Sequence, residues 1–253
     1  MLRRIVDRVL RRERELSSGA VSFEGFELPP PELRFCGDEF KDDAYYLKSA
    51  RLEAQRLIRK CGLARTSRVL DIGCGPGRLA IGIQAELGAV QSYCGLDVHG
   101  PSIEWCTAHI ARQNSRFRFQ RLDVRSDRYN PNGRGTAGGT RLPLPSASCD
   151  VVNLYSVFSH MPYRDVVGYT AEIARALAPE GSVFLTAFVE EAVPNFEINP
   201  AGYRQKWIGP LHCVRFEKSF FENLLFENGL KVTSFEYGRE TNGQSAFYLA
   251  RAS

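Results

Sequence analysis

The stretch "VLDIGCGPGRLA", residues 69–80, decides how this chain is read. Val69, Leu70 and Ile72 around Asp71 make a short buried strand, Gly73, Gly75 and Gly77 break it, and Arg78-Leu79-Ala80 opens a helix. A strand, a glycine turn and a helix put the turn at the carboxyl end of a parallel strand, where open α/β sheets bind ligands. Glycines allow the sharp turn and leave no Cβ between backbone and ligand. A dinucleotide turn of the G-x-G-x-x-G type would place its last glycine at position 78, which is arginine here. That weakens a nicotinamide reading.

Working outward, strand-like and helix-like runs alternate. "SRVLDI" leads to "RLAIGIQAELG", "SYCGLDV" to "SIEWCTAHIARQ", "RFRFQRLDV" to a loop, "CDVVNLYS" to "RDVVGYTAEIARALA", and "GSVFLTAF" to another loop. This predicts five parallel strands with helices on both faces. After the helical run "EKSFFENLLFENG", the strands "LKVTSFEYG" and "GQSAFYLAR" lie too close together for a crossover and pair as an antiparallel hairpin at the sheet edge. The expected fold is α/β, a Rossmann-like, seven-stranded, mostly parallel sheet closed by an antiparallel C-terminal hairpin. Residues 44–253 form this domain. Ahead of it, 1–43 hold a basic amphipathic helix and a proline-rich connection, with 17–40 read as irregular. "YNPNGRGTAGGT" (129–140) reads as a mobile surface loop.

Composition bounds the function. With 253 residues, 43% hydrophobic and 25% charged, the chain is an ordinary globular protein with a sizeable core. No apolar run reaches eighteen residues and no secretory leader is legible, while seven scattered cysteines without CxxC spacing argue against a disulfide framework and a zinc site. A reducing cytoplasm is the expected compartment. The net charge of +4 gathers in "MLRRIVDRVLRRERE", whose arginines flank an apolar stripe. Residues 1–16 therefore either pack on the domain or touch an anionic membrane surface. With basic residues concentrated there and no recognised binding module legible, nucleic acid is not the expected partner.

Acidic residues narrow the ligand. Asp97 ends the second strand, 24 residues beyond Gly73, where a carboxylate can take two ribose hydroxyls. Asp123 ends the third strand, within reach of an adenine amino group, and Asp71 ends the first. One such aspartate could be a turn residue, but three at successive strand tips describe an adenosine site.

With these residues in place, the chain resembles the class I S-adenosylmethionine-dependent methyltransferases from about residue 45 to its end. "VLDIGCGPGRLA" is similar to that family's first motif, "GLDV" to its ribose-binding motif, "LPLPSASCDVVNLYSVFSHM" to its fourth strand and "EIARALAPEGSVFLTAF" to its fifth helix and strand. The resemblance implies that Gly73, Gly75 and Gly77 wrap the methionine part of S-adenosylmethionine. It implies that Asp97 takes the ribose, that Asp123 with Val124 faces the adenine, that Asp71 helps hold the amino end, and that Tyr155 and Ser156 border the methyl.

The sulfonium already activates the methyl group, so the protein must align an acceptor and, for a hydroxyl, remove a proton. His160, after the fourth strand, and His212, in "GPLHCVRFE", are the candidate catalytic bases, with holding its own loop the favoured role of His160. His99 and His109 read as flanking or packing residues, and Glu190 and Glu191, directly after the fifth strand, as groups that could bind an acceptor or deprotonate it. The sequence lacks the Asn/Asp-Pro-Pro-aromatic segment of amino-methylating enzymes and the Pro-Cys nucleophile of cytosine-C5 enzymes. No metal cluster is legible. Aromatics in "FCGDEFKDDAYY" and "PNFEINPAGYRQKWIGPLHC" could cover the cleft, with Phe196, Tyr203 and Trp207 beside Arg204 and Lys206. The expected reaction is O-methylation of a glycan, glycolipid or small metabolite. N-methylation of a small amine and a non-catalytic cofactor-binding subunit are the alternatives.

Overall fold

The computed structural model describes residues 19–135, 139 and 141–252. The expected N-terminal basic helix, residues 1–16, lies outside the described residues, as does part of the 129–140 loop. Five strands, β3 (Arg68–Ile72), β4 (Ser92–Asp97), β5 (Phe117–Arg121), β6 (Cys149–Leu154) and β7 (Leu177–Glu190), run parallel. Beyond β7 lie β11 (Ser245–Arg251), antiparallel to it, and then β10 (Leu230–Glu236) at the edge, giving the order β10-β11-β7-β6-β3-β4-β5. The seven-stranded architecture and its C-terminal hairpin are as the alternation required.

Period-two alternation splits the core across the sheet. Leu70 and Ile72 of β3, Leu96 of β4 and Val152 and Leu154 of β6 join the cluster under α4 (Tyr163–Ala176) and α5 (Lys218–Glu227). Val69, Tyr93 and Val151 join the opposite cluster, under α1 (Asp43–Cys61), α2 (Arg78–Leu87) and α3 (Gly100–Cys106). Asp42 caps α1 by accepting from the Tyr45 N–H at 2.8 Å, and Gly62 ends it in the left-handed conformation. None of the described helices is long and apolar enough to cross a membrane.

Two parts differ from expectation. The segment read as an irregular connection contains a hairpin of β1 (Val21–Phe23) and β2 (Phe26–Leu28), turned by Glu24 and Gly25, followed by single helical turns at Pro31–Leu33 and Asp38–Lys41. Leu28, Leu33 and Phe40 are buried in the α1–α2 core, so this stretch packs as part of the domain. Arg34 holds it: its buried guanidinium donates to the carbonyls of Pro29 and Lys41 and to the Asp43 carboxylate. The second difference lies after β7. There β8 (Phe196–Ile198) and β9 (Val214–Glu217) continue the sheet past the carboxyl end, with β9 parallel to the tip of β7.

Candidate active site

The carboxyl ends of β3, β4, β6 and β7 open into one cavity of about 730 Å³, within the size range of small-molecule sites. The turn after β3 forms one wall. Gly73, Gly75 and Gly77 all have positive φ, at 72°, 50° and 80°. A side chain on Gly75 would meet nothing within 4 Å, so its backbone borders open space that a ligand can fill. The turn is fixed from behind, since the N–H groups of Gly73 and Cys74 donate to the Leu96 carbonyl. Asp97 braces the turn too, accepting from Gly75 N–H at 2.7 Å and from His99 N–H at 2.8 Å. Burial pushes its carboxyl up, against the pull of these donors.

A polar cup lies below the turn, on the face toward α1. The register sets Asp71 opposite Asn153 on β6. The Asn153 amide donates to Asp71 at 2.8 Å and to Glu53 of α1 at 3.2 Å, and Tyr93 donates its hydroxyl proton to Asp71. Arg78 closes the cup, 3.0 Å from Glu53, with its guanidinium over the rings of Phe40 and Tyr155. Burial, with the Glu53 charge nearby, pushes the Asp71 carboxyl up to about 7. The Asn153 Oδ1 is buried without a partner. A cationic amino group beside it would satisfy that oxygen and restore Asp71 to its ionised form, and Arg78 offers a cation to a carboxylate. Turn and cup together therefore fit the amino-acid end of S-adenosylmethionine.

The other expected residues separate. Asp71, Gly73, Gly75, Asp97, Val124, Tyr155, Ser156, His160 and His212 line the cavity, whereas Gly77 stands just behind the wall as the left-handed N-cap of α2. Asp123 does not line the cavity. Its neighbours Leu122 and Val124 do, and in extended chain the residue between them faces the other way. The Asp123 side chain is 52% exposed and accepts from Arg134 at 2.9 Å, which pulls its carboxyl down. The placement expected of Asp123 is thus corrected: its side chain faces away from the cavity, and the flanking Leu122 and Val124 line it instead. Glu190 is corrected as well. It accepts from Tyr203, Tyr237 and Arg204, which outweigh its burial and hold its carboxyl down, and neither it nor the exposed Glu191 reaches the cavity. His109 stacks on Trp105 and meets Glu27, away from the site.

The remaining wall is aromatic. Ring contacts run from His99 to Phe35, Tyr129, His160, His212, Trp207 and Phe188, with successive centroids 5.1–6.5 Å apart. Phe35 comes from the N-terminal segment, and Trp207 and His212 from the stretch between β8 and β9. Both aromatic stretches singled out in the sequence thus reach the cavity, although Phe196 stacks instead on Tyr163 and Tyr203 is tied to Glu190. The His160 Nδ1 lies 3.0 Å from the Leu211 carbonyl. A carbonyl only accepts, so Nδ1 carries the proton and Nε2 keeps its lone pair. Burial, aided by the charge of Arg128, pulls the imidazole down to about 4. His212 differs, because its Nδ1 lies 3.0 Å from the Ile208 N–H as well as 2.8 Å from the Ile208 carbonyl, so the Ile208 backbone holds the ring without fixing its tautomer. Sequence reasoning missed Glu53, Asn153 and the paired state of Arg78. Only the arginine carried a signal, as the residue standing where a dinucleotide turn needs glycine.

Known proteins agree with this geometry. Residues 69–181 match a family model described as a methyltransferase domain. A Mycolicibacterium smegmatis protein named a "probable S-adenosylmethionine-dependent methyltransferase" is 27% identical over 191 residues, covering 76% of this chain. The match takes in only 61% of that relative's length. An O-methyltransferase of Aspergillus nomiae is 26% identical over 81% of this chain and 84% of its own. Among solved structures, a Burkholderia thailandensis 1,6-didemethyltoxoflavin-N1-methyltransferase with bound S-adenosylhomocysteine shares the fold at a TM-score of 0.54 and 16% identity, covering 83% of this chain and 80% of its own. Motif, fold and relatives agree on one cofactor, S-adenosylmethionine. In motif, fold and relatives the chain is thus similar to the class I S-adenosylmethionine-dependent methyltransferases, and its residues 69–181 match a methyltransferase domain.

Proposed function

We propose that this protein is an O-methyltransferase acting on the hydroxyl of a small molecule held in the aromatic lobe of the cavity. The observation that carries the reading is His160. It lines the same cavity as the glycine turn, it is neutral, and its tautomer is fixed by Leu211 so that Nε2 is the basic nitrogen. Bound S-adenosylmethionine supplies a methyl group on a positively charged sulfur, which keeps the bonding electron pair when the methyl leaves. The chain's own residues do the rest. The glycine turn and the Asp71–Asn153–Glu53–Arg78 cup hold the amino-acid end, and Asp97 offers carboxylate oxygens to a ribose. Leu122 and Val124 supply an apolar wall for the base. Phe35, Tyr129 and Trp207 exclude water and orient the acceptor, and His160 Nε2 takes the hydroxyl proton. A cavity of this size suits a small metabolite or one end of a glycan or glycolipid.

The test uses purified protein, methyl-tritiated S-adenosylmethionine and a metabolite extract of its host. Label is expected in small hydroxylated molecules, and His160→Gln should reduce transfer by about 10²-fold or more with S-adenosylhomocysteine affinity retained. Label in amines, transferred equally well by His160→Gln, would replace this reading with N-methylation. No transfer despite cofactor binding would favour a non-catalytic subunit.

A further inference from the structure

Three arginines line the cavity: Arg78, Arg125 and Arg128. Arg78 pairs with Glu53, and Arg125 lies 3.0 Å from Asp127. Arg128 pairs with no carboxylate among the described residues. Its Nε donates to the Tyr129 hydroxyl at 3.2 Å, which positions the guanidinium, and its two terminal nitrogens make no hydrogen bond among the described residues. One of them, Nη1, lies close to Gly209, so the side chain spans the lobe from the loop after β5 to the stretch before β9. A fixed, part-buried guanidinium presenting two parallel N–H groups matches a carboxylate in bidentate geometry. Tyr129 adds a second donor. Its oxygen accepts from Arg128 and burial keeps it protonated, so its own proton remains available. Its ring packs edge-on to His160, 5.8 Å away, which sets the cation and the base on the same lobe.

We propose that Arg128 is the anion anchor of the acceptor lobe, and that the molecule methylated here is a hydroxy acid on a flat apolar frame, its carboxylate on Arg128 and its hydroxyl toward His160. The inference rests on the O-methyltransferase reading and names the substrate class. The rest of the lobe suits it: Phe35, Tyr129, Trp207 and Phe188 offer flat surfaces to a ring. Charge suits it as well. Burial is the main cause that pulls His160 down, and an anion on Arg128 would offset the smaller contribution of the Arg128 charge.

The experiment is calorimetry on the full chain saturated with S-adenosylhomocysteine. The probes are 3- and 4-hydroxybenzoate, each compared with its uncharged amide. Wild type is expected to bind at least one acid about tenfold or more tighter than its amide. Arg128→Gln should abolish that preference, and Arg128→Lys, which keeps the charge without the fork, should retain part of it. S-adenosylhomocysteine affinity should be the same in all three proteins, showing that the fold is intact. Equal binding of acids and amides to wild type, no binding of any probe, or a preference that survives in Arg128→Gln would overturn the inference while leaving the methyltransferase reading in place. Failure of wild type to bind S-adenosylhomocysteine would overturn both.

Discussion

His160 shows how one side chain carries a local and a chemical role together. Its Nδ1–H fastens the loop after β6 to Leu211, and the same bond leaves Nε2 as the base. Burial at this position has a consequence for stability. The folded-state pKa, pulled down to about 4, lies below the ordinary histidine value near 6.5. Between those values the unfolded chain binds a proton that the folded chain does not, so stability falls as pH drops through 6.5 toward 4. Unfolding by urea at pH 7.5 and pH 5 should show wild type losing about 2 kcal/mol more than His160→Gln over that interval. An equal loss in both proteins would mean that His160 titrates as it does in water. The sequence displayed part of this site. Asp71 and Asp97 were legible because strand tips place them, and Asp123 misled because a one-residue step along extended chain reverses the face. Glu53 was not legible, since a helical glutamate in "RLEAQ" looks solvated until α1 is laid on the sheet above Asn153.

The elements that were legible have long, regular patterns: five parallel strands, the helices that cross between them, and a hairpin too tight for a crossover. Those that were missed, β1, β2, β8 and β9, have three or four residues each, too few for a period to declare itself. Their pairing comes from tertiary contact, β9 being added to the overhanging tip of β7. Packing of α1 on α2 gives a sharper case, since it requires a glycine inside a helix, normally a cost in stability. A Cβ on Gly82 would collide with the Ala50 carbonyl and crowd the Ala54 methyl. Backbone cannot yield as a side-chain tip does, so Gly82→Val should cost about 3 kcal/mol or more, read from the urea midpoint. Because α1 carries Glu53 and α2 begins at Arg78, the same variant should weaken S-adenosylhomocysteine binding. A stability change within experimental error would show that the two helices can part without harm.

At the scale of the molecule, the strand ends supply only part of the cavity. The N-terminal segment around Arg34–Phe40 and the stretch around Gln205–His212 complete it, bringing Phe35, Glu39, Trp207 and His212 to its walls. Both differ from the sheet in what holds them. The N-terminal segment depends on Arg34 and a few buried side chains, and Gln205–His212 on short hydrogen bonds within the loop and the rings of Phe188 and His160. Few buried apolar contacts and exposed backbone bonds are the marks of low local stability, so these walls should open more readily than the sheet while the cavity is empty. A ligand that bridges strand ends and covering segments couples them. At a hundred times its dissociation constant it stabilises the folded state by about 2.7 kcal/mol, which for a chain of this size raises the melting temperature by roughly 5–10 °C. Hydrogen exchange with and without S-adenosylhomocysteine should then show added protection in three places: residues 71–77, the N-terminal wall at 34–40 and the loop at 205–212. Since the last of these borders the acceptor lobe, its protection should grow again when a hydroxybenzoate is added to the cofactor-bound protein. Protection limited to 71–77 would mean that the covering segments do not close on the cofactor, and the acceptor would then enter an open cleft in which His160 and Arg128 work exposed to water.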